Sequence, residues 1–122
     1  MKKILMFDDN QALLILMKVE YEQAGFEFLG LVYPPDDLIQ KIINFKPDII
    51  SMDVTMPFMD GFTATKIIKN NPKTKDFPLI FYTNMGRQAD IELGKKLGAV
   101  EYFIKTQTSP GEVIEWVKNY LA

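Results

Sequence analysis

The sequence has no cysteine and no histidine. Without cysteine there are no disulfides and no thiolate metal sites. Without histidine the commonest metal ligand and acid–base side chain is missing. Any metal must be held by oxygen ligands, which points to Mg²⁺, Ca²⁺ or Mn²⁺. No apolar run approaches membrane-spanning length. The opening Met1-Lys2-Lys3, with a short apolar run before Asp8-Asp9, is too brief for a signal peptide, so a cytoplasmic setting is expected. The two signs of charge nearly balance: 14 Lys and Arg stand against 16 Asp and Glu, a net −2. That balance gives no electrostatic case for nucleic acid or for an anionic membrane.

What the chain does have is a recurring unit. A chain of 122 residues is expected to form one domain with one core, here residues 1–122. Apolar runs Ile4–Phe7, Phe26–Val32, Ile49–Met52, Leu79–Tyr82 and Val100–Ile104 read as strands. Helical patterns follow each one. Asn10 is a candidate N-cap for a helix over Gln11–Ala24 that Gly25 stops, with Leu13, Leu14, Leu16, Met17 and Tyr21 as its apolar residues. Pro34-Pro35-Asp36 is expected to cap a second helix. Phe62–Asn70, with Ala64, Ile67 and Ile68 on one face, and Gln88–Leu97 read as the third and fourth. Ser109, Pro110 and Glu112 make a capping-box start for the last. Five βα units predict an α/β fold, with a parallel sheet covered on both faces.

Polar residues close four of the strands: Asp8 and Asp9, Asp53, Thr83, and Lys105. In a doubly wound sheet of order 2-1-3-4-5 the first and third strands are neighbours, and the switch point lies between them. Asp8, Asp9 and Asp53 then crowd together. Mutual repulsion should raise at least one pKa unless a cation intervenes. A hard divalent ion bound through oxygens, Mg²⁺ above all, suits such a cluster. A carboxylate nucleophile, a metal, a lysine and a hydroxyl are the parts of phosphoryl transfer, with Asp53 attacking in line.

Asp8-Asp9, Asp53 with Met56-Pro57 and Met59-Asp60-Gly61 after it, Thr83, and Tyr102-Phe103-Ile104-Lys105 together resemble a receiver domain of the two-component response-regulator family, of the chemotaxis-regulator-like, single-domain kind. The resemblance runs from Lys3 to Leu121. It implies a flavodoxin-like three-layer sandwich and a phosphorylation-dependent signalling switch that takes phosphate from a histidine kinase or phosphotransfer protein. By resemblance Asp53 is the phosphoacceptor. Asp9 binds Mg²⁺ directly, Asp8 largely through water, and the Thr55 backbone carbonyl is a third protein ligand. Thr83 and Lys105 hold phosphoryl oxygens, and Tyr102 is the aromatic switch. The output partner is expected on the surface from Gln88 to Leu121, with no direct contact to nucleic acid or membrane.

The chain departs from the family in three places. Thr106 follows Lys105 where the family has proline, so this loop is expected to aim Lys105 less firmly. Asn84 replaces a small residue after Thr83, and Met85 flanks the expected approach of water. Tyr33-Pro34-Pro35 replaces a small polar turn. Two other readings compete. One is a Mg²⁺-dependent phosphatase with an Asp nucleophile, against which Thr55 stands where such enzymes place a second acid. The other is a receiver-like binding module that is never phosphorylated.

Overall fold

The first apolar run forms β1 (Lys3–Phe7), and Asn10 starts α1 (Gln11–Gln23) by accepting a hydrogen bond from the Leu13 N–H. There follow β2 (Glu27–Leu31), α2 (Leu38–Phe45), β3 (Ile49–Met52), α3 (Gly61–Lys69), β4 (Leu79–Thr83), α4 (Gln88–Lys96), β5 (Glu101–Ile104) and α5 (Pro110–Leu121). This computed structural model describes residues 1–122. No helix is long and apolar enough to cross a membrane.

All four strand pairings are parallel, and the order is β2-β1-β3-β4-β5. Each strand sends alternate residues to opposite faces. Ile4, Met6, Ile49, Ile80 and Tyr82 pack against α1 and α5. Leu5, Phe7, Ile50, Met52, Leu79 and Phe81 pack on the other face, against α2, α3 and Tyr102. Both faces are therefore buried, which is why the strands read as continuous apolar runs. The result is the expected flavodoxin-like, doubly wound three-layer sandwich.

Several local expectations need correcting. Helix α2 starts at Leu38, not behind Asp36, and its N-cap Asp37 makes no side-chain capping bond. Helix α3 starts at Gly61, because Asp60 accepts from the Thr63 N–H and opens the helix earlier. In α1 the buried residues are Leu14, Met17 and Tyr21, while Leu16 is exposed together with Ile15 and Val19. Ile67 of α3 also turns outward, and Thr65 is buried instead. The capping box at Ser109 and Glu112 is present as read.

Candidate functional site

The β1–β3 register pairs Phe7 with Met52, so Asp8 and Asp53 leave the sheet side by side. A hydrogen bond from the Asp53 N–H to the Phe7 carbonyl (3.0 Å) carries the pairing one step past the strand. Across the other edge, β4 and β5 pair Thr83 with Ile104, and the Lys105 N–H donates to the Thr83 carbonyl at 2.8 Å. Four strand ends thus bring the predicted residues to one place. A cavity of about 360 Å³ opens there, lined by Asp9, Asn10, Asp53, Thr55, Thr83, Asn84, Met85 and Lys105. Met85 is its one apolar wall.

Asp8 lies beneath the cavity at 0% exposure. One of its oxygens accepts from the Asn10 N–H (2.9 Å), and the other is 2.7 Å from Lys105 Nζ. Burial pushes the Asp8 carboxyl up, and the Asp53 charge adds to this; the hydrogen bonds from Lys105 and Asn10 oppose it without cancelling it. The rise expected from crowded carboxylates is therefore present, but its main cause is desolvation. Lys105 Nζ also donates to Asp53 Oδ2 at 3.2 Å. Burial pulls the Lys105 pKa down, yet the bond to Asp8 and the charges of both aspartates outweigh it, and the net shift is upward. The ammonium is thus held charged between two carboxylates.

The loop after Lys105 is tied down by hydrogen bonds. The N–H groups of Gln107 and Thr108 both donate to the Ile104 carbonyl (2.9 and 3.0 Å). The Tyr82 hydroxyl donates to the Thr108 carbonyl at 2.9 Å. These bonds fix the turn that aims Lys105.

Asp53 is almost fully buried, and its Oδ1 accepts from the Val54 N–H at 2.7 Å. The Thr83 hydroxyl oxygen accepts from the Met85 N–H at 3.3 Å, with the Val54 N–H at 3.5 Å. Tyr102 lies buried against Phe81, and its hydroxyl donates to the Met85 carbonyl at 2.6 Å. Burial, reinforced by Asp90 and Asp53, pushes the Tyr102 pKa up to about 12, so it stays a donor near neutral pH.

The acidic cluster suits a hard cation. One oxygen from each of Asp8, Asp9 and Asp53 lies within 4.8 Å of the others. An all-oxygen, doubly to triply anionic set favours Mg²⁺, Ca²⁺ or Mn²⁺.

Two contributors escaped the sequence reading. Asn10 caps α1, as its sequence position suggests, and it also lines the cavity. Gly61 enters the sequence reading only within the Met59-Asp60-Gly61 motif. A Cβ there would lie 1.9 Å from the Asp53 carbonyl oxygen, so the first turn of α3 can press onto the end of β3 only if it carries no side chain.

Comparison with known proteins agrees with this fold. The family model described as the response regulator receiver domain matches residues 4–118. The chemotaxis protein CheY of Thermotoga maritima is 34% identical over 115 residues, covering 93% of this chain and 92% of that one. The alkaline phosphatase synthesis transcriptional regulatory protein PhoP of Bacillus subtilis is 32% identical over 98% of this chain, which spans 48% of PhoP. The crystal structure of a putative response regulator from Chloroflexus aurantiacus superposes with a TM-score of 0.85 at 28% identity, covering 98% of this chain and 97% of the other.

Proposed function

This chain belongs to the response regulator receiver domain family, and from that premise we propose that it is a signalling switch in which Asp53 accepts a phosphoryl group. The observation that carries the reading is the setting of Asp53. Its carboxylate faces a polar cavity, with Lys105 Nζ at 3.2 Å and two further carboxylates beside it. An Asp53 oxygen forms the new P–O bond while the bond from phosphorus to the donor breaks, and the donor's leaving atom keeps the electron pair. Lys105 pairs with one phosphoryl oxygen, and the Thr83 hydroxyl donates to another. Asp9, Asp53 and the Thr55 carbonyl hold Mg²⁺, with Asp8 supporting from below. Bound there, the metal supplies positive charge that offsets the crowding of anions. The chemistry is confined to the domain's own phosphorylation and dephosphorylation.

The phosphodonor, a histidine kinase or phosphotransfer protein, docks on the outer face of α1. Ala12, Ile15, Leu16 and Val19 follow the i, i+3, i+4, i+7 spacing there and are exposed, and the helix begins at the cavity. The output partner reads the surface from Gln88 to Leu121, where Leu93, Val100 and Tyr120 are exposed. Thr83 and Tyr102 act as the switch between cavity and surface. The domain works in the cytoplasm.

The test is incubation with Mg²⁺ and a small phosphodonor, followed by intact-mass measurement. The wild-type chain should gain one phosphate mass and Asp53→Ala none. A phosphate gain in Asp53→Ala that is lost in Asp8→Ala or Asp9→Ala would put the acceptor elsewhere.

A further inference from the structure

The turn after β2 and the turn after β3 meet outside the cavity just described. Tyr33 and Phe58 stand with ring centroids 4.9 Å apart and planes at 65°. Phe58 is 88% exposed and Tyr33 40%. Phe58 also has φ +70°, a left-handed conformation that is strained for a bulky side chain. Pro34, Pro35 and Asp36 complete a separate cleft of about 300 Å³ with these two rings. The hydrophobic effect would hide a phenylalanine, and backbone sterics would favour glycine or asparagine at this φ. Both preferences are overridden at Phe58, and an aromatic face is presented to solvent.

The surrounding charge indicates what that face meets. The segments between each strand and the next helix lie along one edge of the sheet. They hold six carboxylates, on Asp8, Asp9, Asp36, Asp37, Asp53 and Asp60, against two cations, Arg87 and Lys105. The chain as a whole carries only −2, so negative charge is concentrated on this edge. Two ring faces at a steep angle, a rigid proline wall and a carboxylate together suit an organic cation: the rings attract it through their π faces and the carboxylate pairs with its N–H groups.

We propose that Tyr33, Phe58 and Asp36 form a binding site for an arginine side chain of the protein that docks over this edge. The identity of that protein as the phosphodonor rests on the function proposed above; the cation site itself does not. Arginine fits better than lysine because its flat guanidinium stacks on a ring and still directs N–H groups at a carboxylate.

The experiment is a titration of the ¹⁵N-labelled chain with N-acetyl-arginine amide, followed by NMR, in parallel with the neutral citrulline analogue and with tetramethylammonium. Shifts should cluster at Tyr33, Asp36 and Phe58 with the arginine probe and be absent with citrulline. Phe58→Ala and Tyr33→Ala should each weaken binding two- to fivefold, and Asp36→Asn should weaken it by a similar factor. Both rings are exposed enough that the variants should fold, and a melting curve checks this. Phosphorylation of Asp53 by a small phosphodonor should be unchanged in Phe58→Ala, which separates a failure here from a failure at Asp53. Equal shifts with citrulline, or no loss in Phe58→Ala, would overturn the site. Tighter binding of tetramethylammonium than of the arginine probe would also overturn the assignment, since that cation has no N–H for Asp36.

Discussion

The hydroxyl of Tyr102 donates to the backbone carbonyl of Met85 at 2.6 Å, while the N–H of the same Met85 donates to the Thr83 hydroxyl. One peptide segment therefore connects the cavity to the residue at the base of the α4–β5 face. In the function proposed above, moving Thr83 toward a phosphoryl oxygen would pull on a segment that already holds Tyr102.

Helix α4 makes room for this arrangement at Gly94. A Cβ there would come within 2.7 and 2.9 Å of the Tyr102 ring and 3.1 Å of Phe81. Gly94→Ala should destabilise the fold by about 1 kcal/mol, overpacking outweighing the better helix propensity of alanine. It should also push the ring outward. The Tyr102 pKa, about 12 when buried, should then fall toward the ordinary 10. A ¹³Cζ-tyrosine NMR titration reads this directly, and an unchanged pKa would show that Gly94 has no hold on the ring.

Gly61 is less forgiving, because the clash there is with backbone. Gly61→Ala should cost about 3 kcal/mol, or roughly 10 °C of Tm, and should lower the rate of Asp53 phosphorylation. Urea unfolding checks the first claim and intact mass the second. A loss under 1 kcal/mol would mean that the α3 start can withdraw from Asp53 freely.

Mg²⁺ at millimolar concentration should raise the Tm by mass action, and Asp9→Ala should lose most of that rise. Lys105→Met removes the cation held between Asp8 and Asp53. It should destabilise the metal-free chain by about 2 kcal/mol or more, since buried Asp8 loses its partner. Its Tm should then rise further with Mg²⁺ than the wild type's. Equal Mg²⁺ shifts in the two chains would separate Lys105 from the metal's electrostatics.

Met85 lines the cavity and is packed against the core cluster on the Tyr102 side. Its side chain offers water no strong hydrogen-bond partner. The phosphorylated chain should therefore lose phosphate slowly, and Met85→Gln should speed the loss about tenfold, a barrier change of about 1.4 kcal/mol. Equal decay rates for the two proteins would assign the lifetime to another residue.

The sheet was legible because burial on both faces makes a strand an unbroken apolar run, and the switch-point rule then placed Asp8, Asp9 and Asp53 together. Helix faces were less legible. Helix α1 carries Leu13, Leu14, Ile15, Leu16, Met17 and Val19 in close succession, so its apolar residues nearly encircle it and periodicity cannot separate Leu14 from Leu16. Gly61 and Gly94 could not be weighed at all, since their role is a distance to another element. The Tyr33–Phe58 contact joins two turns that the sequence places far apart.

The ion pair between Asp8 and Lys105 joins the end of the first strand to the end of the last. Forming it closes a loop that contains most of the chain, and that entropy must be spent before the contact returns anything. The pair should therefore be absent from the folding transition state. In a chevron analysis Lys105→Met should speed unfolding and leave the refolding limb nearly unmoved. During synthesis, a chain that has not yet reached residue 105 carries Asp8 but not the lysine that pairs with it, so this ion pair can form only after all five strands have been made.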